Sequence, residues 1–220
     1  SGSAAQHSQS LEAWFAHVPG LVVVAPGTPQ DNYSLLGSAI GSGDPVCYLE
    51  HKELWGEQGE VDESLQVPLG KARVARAGND VTLVTWSRAL EHALAAAEAS
   101  RLSVEVIDLR TLWPWDRDTV LASAARTKRL LVVHEAVEVA GFGAEIAATA
   151  AEAGLERIKD EGGTLRVKDE TNLHPSSLIL HPLIARGHRL LGAALAMALA
   201  FVELGPGAGD GAARERDHGG

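Results

Sequence analysis

Residues 21–50 constrain the fold more than any other stretch of this chain. Leu21-Val22-Val23-Val24-Ala25 is an unbroken apolar run, the pattern of a strand covered on both faces in a parallel sheet. Thr28-Pro29-Gln30-Asp31 follows at once: a capping threonine, a proline suited to the first helical turn and an acid at the third helical position. The spacing predicts a helix over 29–41, stopped by Gly41-Ser42-Gly43, and Val46-Cys47-Tyr48-Leu49-Glu50 supplies a second strand. Strand, crossover helix and strand in this order belong to an α/β fold with a parallel sheet.

Residues 51–69 break the pattern with charges, Gly56, Gly59 and Pro68, and are expected to be a linker. A new domain is expected from Gly70. Val81 to Trp86 reads as a strand, and Leu90, Ala93, Leu94 and Ala97 then share one helical face. Ser103 to Leu109 is the next strand; Asp116 can cap a helix with Val120, Leu121 and Ala124 inward, and Arg129 to His134 is a third strand. Gly141-Phe142-Gly143 opens a helix over about 143–153. These units predict a second doubly wound parallel domain.

The 19 basic residues are scattered and the net charge is −10, which excludes binding to a phosphate backbone by clustered cations. Cys47 is the single cysteine, so no internal disulfide forms and a reducing compartment fits. The first twenty residues lack a basic stretch followed by an apolar core, so a cytoplasmic protein is expected. Leu190 to Val202 is an apolar run of 13 residues, too short to span a bilayer of roughly 20 residues' helical thickness. His174, His181 and His188 recur every seven residues, but Pro175 and Pro182 interrupt any shared helix face, and no metal site is expected there. Gly141-x-Gly143 lacks the third glycine of a dinucleotide fingerprint, Ile146 standing in its place. It reads as close packing of helix on strand. Trp86, Trp113 and Trp115 read as core or interface residues, and His92 and His134 as structural. Residues 205–220 carry no core-forming pattern and are expected to be disordered.

His7 stands in Gln6-His7-Ser8-Gln9-Ser10-Leu11-Glu12-Ala13-Trp14-Phe15-Ala16-His17-Val18-Pro19-Gly20, at the mouth of a short helix. By pattern alone it is either a functional imidazole or a histidine at a fraying terminus. This run resembles the β subunit of the thiamine-diphosphate-dependent first component of 2-oxo acid dehydrogenase complexes. So do Leu49-Glu50-His51-Lys52, Val67 to Ala72, Val104 to Thr111, and Val133-His134-Glu135-Ala136 running into Gly141 to Ile146. The likeness extends from Gln6 to about Glu156. Trp113-Pro114-Trp115-Asp116 and His134-Glu135-Ala136 lean toward the branched-chain enzyme.

The resemblance implies that residues 1–50 are the back half of a transketolase-like pyrimidine-binding domain and 70–160 a transketolase-type C-terminal domain, with 161–220 a divergent tail. It implies oxidative decarboxylation of a 2-oxo acid with acyl transfer to the lipoyl group of an acyltransferase core, in an α₂β₂ heterotetramer. His7 is then catalytic. An imidazole with an ordinary pKa near about 6.5 exchanges protons near neutrality. Thiamine diphosphate and its Mg²⁺ are held mainly by the α subunit in that family, and the glutamate that activates the cofactor belongs to a front half not found in this sequence. The frame is therefore expected to be shortened at its front and altered beyond Glu156, and the polypeptide alone to be inactive. The loop from Ala39 to Asp44 is similar to the family's potassium-binding turn, which implies main-chain coordination of K⁺ at Ala39, Ile40, Ser42 and Asp44. The loop is less acidic than the family's, and a simple glycine cap is the alternative. Two other functions stay open: an acetoin-type or transketolase-like thiamine enzyme, and an inactive interaction module.

Overall fold

A computed structural model describes residues 9–137 and 139–154 in full, and the backbone of 165–167 and 176–178. In chain order the elements are α1 (Glu12–Ala16), β1 (Val22–Val24), α2 (Pro29–Gly41), β2 (Val46–Tyr48), a single helical turn (Lys52–Leu54), β3 (Arg73–Arg76), β4 (Val81–Thr85) and α3 (Ala89–Ala99). Then come β5 (Val104–Asp108), β6 (Thr111–Trp113), α4 (Arg117–Thr127), β7 (Leu130–Val132), α5 (Phe142–Glu152), and the antiparallel pair β8 (Leu165–Val167) and β9 (Ser176–Leu178).

The first unit is the one drawn from residues 21–50. Val22, Val23 and Val24 are buried and pair in parallel with Val46, Cys47 and Tyr48. Between them α2 starts where Thr28 accepts the Asp31 N–H at 3.2 Å and donates its hydroxyl to Asp31 Oδ2 at 2.6 Å. Leu35 and Ala39 face the sheet. The other neighbour of β1 is β6, an antiparallel strand contributed by a segment more than sixty residues further on. Arg110, at φ 60°, turns the chain sharply out of β5, so Thr111–Trp113 leaves one sheet and completes the other.

The second sheet has the order β3-β5-β4-β7, with β4 parallel to both β5 and β7. It is mixed, not wholly parallel, because β3 runs antiparallel to β5 at the edge. Arg73-Val74-Ala75-Arg76 carries charge at both ends and leaves Val74 exposed, and an edge strand that pairs on one side only tolerates either direction. One face is covered by α3 through Leu90, Ala93 and Ala97. The opposite face packs Val84, Ile107 and Val132 against Val120, Ala124 and Ile146. Each valine or isoleucine side chain taken fully out of water stabilises the fold by about 1.5–3 kcal/mol before entropy is counted. Thr82, buried in β4, meets the Ser123 and Thr127 hydroxyls of α4 at 2.6 and 2.7 Å, which keeps those polar atoms paired.

Residues 51–69 do not hang free between the two sheets. Ser34 and Ser38 of α2 donate to the carbonyls of Leu65 and Val67 at 2.8 and 2.7 Å, and Gln30 exchanges hydrogen bonds with the Asp62 backbone. The segment expected as a linker is stapled along α2, and Val67 is buried.

Four charged residues tie the sheets together. Asp31 Oδ1 meets Arg110 Nη1 at 3.2 Å and its Oδ2 meets Arg73 Nη2 at 3.1 Å, while Arg73 also reaches Asp108 at 3.0 Å. Arg110 donates further to the carbonyls of Lys71 and Ala72.

Candidate functional site

In the second sheet the chain runs from β4 through α3 to β5 on one side, then returns past β4 to β7 on the other. The carboxyl ends of β4 and β7 therefore flank a topological switch point, where open α/β sheets place ligands. Trp86 and Ser87 follow β4, and His134 and Glu135 follow β7. Facing them are Glu50 and His51, which leave the end of β2, and Gln9 to Glu12, which lead into α1. All of these except His134 line a cavity of about 130 Å³ between the two sheets.

Glu12 is its deepest acid, buried to 7% exposure, and accepts the Trp86 indole N–H at 3.3 Å. Burial pushes the Glu12 carboxyl above the ordinary range. Hydrogen bonds from its own backbone and from Trp86 pull it back, and the negative charge of Glu135 adds to the rise. His51 Nδ1 accepts the Glu53 N–H at 3.2 Å while its Nε2 stands 3.2 Å from Glu135 Oε2. An Nδ1 that accepts leaves the proton on Nε2, so His51 donates to Glu135 across the seam between the sheets. Ser87 holds φ at 53°, a left-handed conformation that costs a serine energy and that concentrates at functional sites.

His134 lies behind this wall. Its ring stacks on Trp86 with centroids 4.9 Å apart and planes 13° off parallel, and Phe142 meets the same indole edge-on. Burial lowers its pKa to about 4, so the imidazole is neutral near pH 7. Gly141 and Gly143 are the reason it fits: a Cβ on Gly141 would sit 2.9 Å from His134 Cε1, and one on Gly143 2.7 Å from Nε2. The glycine pair is thus close packing, as its sequence suggested, and its counterpart is this ring.

The other sequence-derived residues fall as follows. His7 lies outside the described residues, as do His174, His181 and His188, the apolar run 190–202 and the tail 205–220. At the proposed cation turn the Ala39 carbonyl accepts both the Ser42 N–H at 3.4 Å and the Ser42 hydroxyl at 2.9 Å, and Asp44 N–H donates back to that hydroxyl. The helix end is closed by its own serine. Ile40 is 79% exposed on the outer face of α2. Trp86 and Trp115 are core residues and Trp113 is half-buried. Among the described residues no group of three or more His, Cys, Asp or Glu side chains converges as metal ligands do, and no helix is long and apolar enough to cross a membrane. The donor set of the cavity, the three carboxylates of Glu12, Glu50 and Glu135 and an imidazole already paired with one of them, does not suit a diphosphate with its magnesium ion. Glu12, His51 and Glu135 were not singled out individually from the sequence; for His51 and Glu135 the available signal is a polar residue just beyond an apolar run that ends a parallel strand, whereas Glu12 opens a helix and follows no such run.

The chain matches two family models: the transketolase pyrimidine-binding domain over residues 2–57 and the transketolase C-terminal domain over residues 70–180. It is 44% identical, over 161 residues, to the β subunit of acetoin:2,6-dichlorophenolindophenol oxidoreductase from Cupriavidus necator, a match covering 71% of this chain and 48% of that protein. It is 45% identical to a mitochondrial 2-oxoisovalerate dehydrogenase subunit beta 2 of Arabidopsis thaliana, covering 70% of this chain and 44% of the relative. The chain thus spans about half the length of these relatives. A solved split-gene transketolase, described as an inactive β4 tetramer, superposes with a TM-score of 0.67 at 20% identity, covering 90% of this chain and 62% of its own, and supports the fold alone.

Proposed function

Because this chain belongs to the transketolase family, we propose that it acts as the β subunit, or the β-subunit portion, of a thiamine-diphosphate-dependent 2-oxo acid dehydrogenase. The observation that carries the proposal is the 45% identity to a 2-oxoisovalerate dehydrogenase subunit beta, over an aligned stretch of 158 residues that is longer than either matched domain. In this reading 1–50 and 70–160 are the pyrimidine-binding and C-terminal domains, joined by 51–69, and 161–220 is a tail. An α-type subunit supplies the diphosphate and Mg²⁺ ligands that the described residues lack, and the pair passes an acyl group to the lipoyl arm of an acyltransferase. His7 serves as the proton donor and acceptor at that site. Ala39, Ile40, Ser42 and Asp44 are the K⁺ turn of the same reading, which competes with the serine closure seen at that helix end.

Branched-chain 2-oxo acids are the proposed substrates, on the strength of the Trp113 to Asp116 and His134 to Ala136 strings. The acetoin relative, at nearly the same identity, supports acetoin as the second reading. Co-expression with an α-type subunit, followed by assay with branched-chain 2-oxo acids, pyruvate and acetoin in the presence of thiamine diphosphate and a lipoyl domain, separates them. The substrate with the highest kcat/KM names the enzyme. The chain alone is expected to release no CO₂ from any 2-oxo acid. If no α-type subunit co-purifies and no thiamine diphosphate binds to the mixture, the proposal fails and an interaction module is what remains.

A further inference from the structure

A second depression, about 1350 Å³, runs along the outer face of α2. Helix α2 is apolar on two sides. Leu35 and Ala39 are buried toward the sheet, whereas Tyr33, Leu36 and Ile40, at positions i, i+3 and i+7, are 49%, 45% and 79% exposed on the other side. Facing them are Trp55 and Leu65, 67% and 47% exposed. This opposite wall is fixed in place by the serine and glutamine hydrogen bonds from α2 to residues 62–67. A contiguous apolar surface of this kind, rimmed by polar groups, marks a site of association.

Its charge is one-sided. The charged side chains lining the groove are Glu50, Glu57 and Glu63, with no lysine or arginine among them. The whole segment 50–66 carries six carboxylates against one lysine. We propose that this groove docks an amphipathic helical segment of another protein, its leucine-type face laid on Tyr33, Leu36 and Ile40 and its flanking lysines or arginines directed at Glu57 and Glu63. A helix laid in a groove presents anchors at the i, i+3 and i+7 spacing that α2 itself displays. Opposite charge on the rim selects the partner and speeds the encounter. A second copy of this chain suits the groove poorly, since the net charge is −10 and the rim would meet its own sign. The proposal stands independently of the thiamine assignment.

The test uses the full chain and two fluorescein-labelled 18-residue helical peptides with the same leucine face, one flanked by lysines and one by glutamates. Fluorescence anisotropy should show binding of the lysine peptide, at least tenfold tighter than the glutamate peptide and weakening as salt rises. Ile40→Asp, at an exposed position where far-ultraviolet circular dichroism should be unchanged, should weaken the lysine peptide at least tenfold. The pair Glu57→Lys and Glu63→Lys should reverse the preference between the two peptides. Equal binding of both peptides, or indifference to Ile40→Asp and to the charge reversal, overturns the proposal. A dimer of the chain in sedimentation velocity that Ile40→Asp abolishes overturns it too, in favour of self-association.

Discussion

Asp31→Ala tests whether the charged cluster between the sheets holds them together. Asp31 is buried, its side chain 2% exposed, and its two oxygens engage Arg110, Arg73 and the Thr28 hydroxyl. Truncation leaves Arg110, itself only 10% exposed, without its anion. Breaking a buried pair from one side costs about 3–5 kcal/mol, because a charge stays desolvated and uncompensated. Two features pull the value toward the lower limit. Arg110 keeps the carbonyls of Lys71 and Ala72, and Arg73 keeps Asp108. Asp108 also gains, since the negative charge of Asp31 is one of the causes that raise its pKa, after burial itself. The expected loss is roughly 3 kcal/mol, or about 6–12 °C in Tm for a chain of this size.

The assay is urea unfolding followed by circular dichroism, with Asp31→Ala, Asp108→Asn and the double variant compared. Because the two carboxylates repel within one network, the double variant should depart from additivity by about 0.5–3 kcal/mol. A loss below about 1 kcal/mol in Asp31→Ala, or strict additivity in the double variant, would refute the reasoning, since a surface-like ion pair behaves that way.

Three further outcomes follow from the same structure. Burial and the charge of Asp31 raise the Asp108 carboxyl to about 6 in the folded chain, against about 3.9 unfolded. Its contribution to stability is therefore fully present below about pH 4 and lost as the pH rises through about 6, and Asp108→Asn should flatten that part of a stability–pH curve. Gly143→Ala should force the His134 ring off Trp86, changing the near-ultraviolet dichroism of that indole and costing about 1–3 kcal/mol; an unchanged Trp86 signal with wild-type stability would show that the ring has room to move. Thr28→Ala should cost about 1 kcal/mol in urea unfolding through loss of the helix cap, and no measurable loss would mean that Pro29 sets the start of α2 unaided.

The legible parts of the fold were those in which local chemistry and burial agree. Thr28-Pro29-Gln30-Asp31 announces the start of α2, and the apolar runs at 21–25 and 81–85 can satisfy their backbone and side chains together only inside a parallel sheet. Asp116 likewise caps α4, with its Oδ1 accepting the Thr119 N–H at 3.3 Å. Two strands were not legible. Arg73–Arg76 has neither an apolar run nor a clean alternation, because an edge strand buries little, and Thr111–Trp113 is three residues long and owes its strand character to a partner, β1, far away in the chain. The cavity was half legible. The strings containing His51 and Glu135 stand out by resemblance, but their pairing requires the two sheets to face each other, a fact of tertiary packing. Glu12 was hidden for a different reason: a glutamate in the first turn of a helix ordinarily complements the helix dipole in water, and only Trp86 packing over it shows that this one is buried.

These contacts also decide where the boundary between the two units has physical meaning. β1 has β2 on one side and β6 on the other, so the first sheet as observed includes a strand that residues 1–50 do not contain. Asp31 reaches Arg73 and Arg110, Glu12 reaches Trp86, and His51 reaches Glu135; every one of these pairs joins the first fifty-odd residues to the chain beyond residue 70. The cavity between the sheets is walled by two of these pairs, and a shift of one unit against the other would separate Glu12 from Trp86 and His51 from Glu135 together. The buried Asp31 cluster opposes such a shift, because moving Arg110 away from its carboxylate incurs the same desolvation cost as deleting that carboxylate. The seam is therefore both where the site lies and where the loss of a single charge, that of Asp31, leaves a buried arginine without its anion.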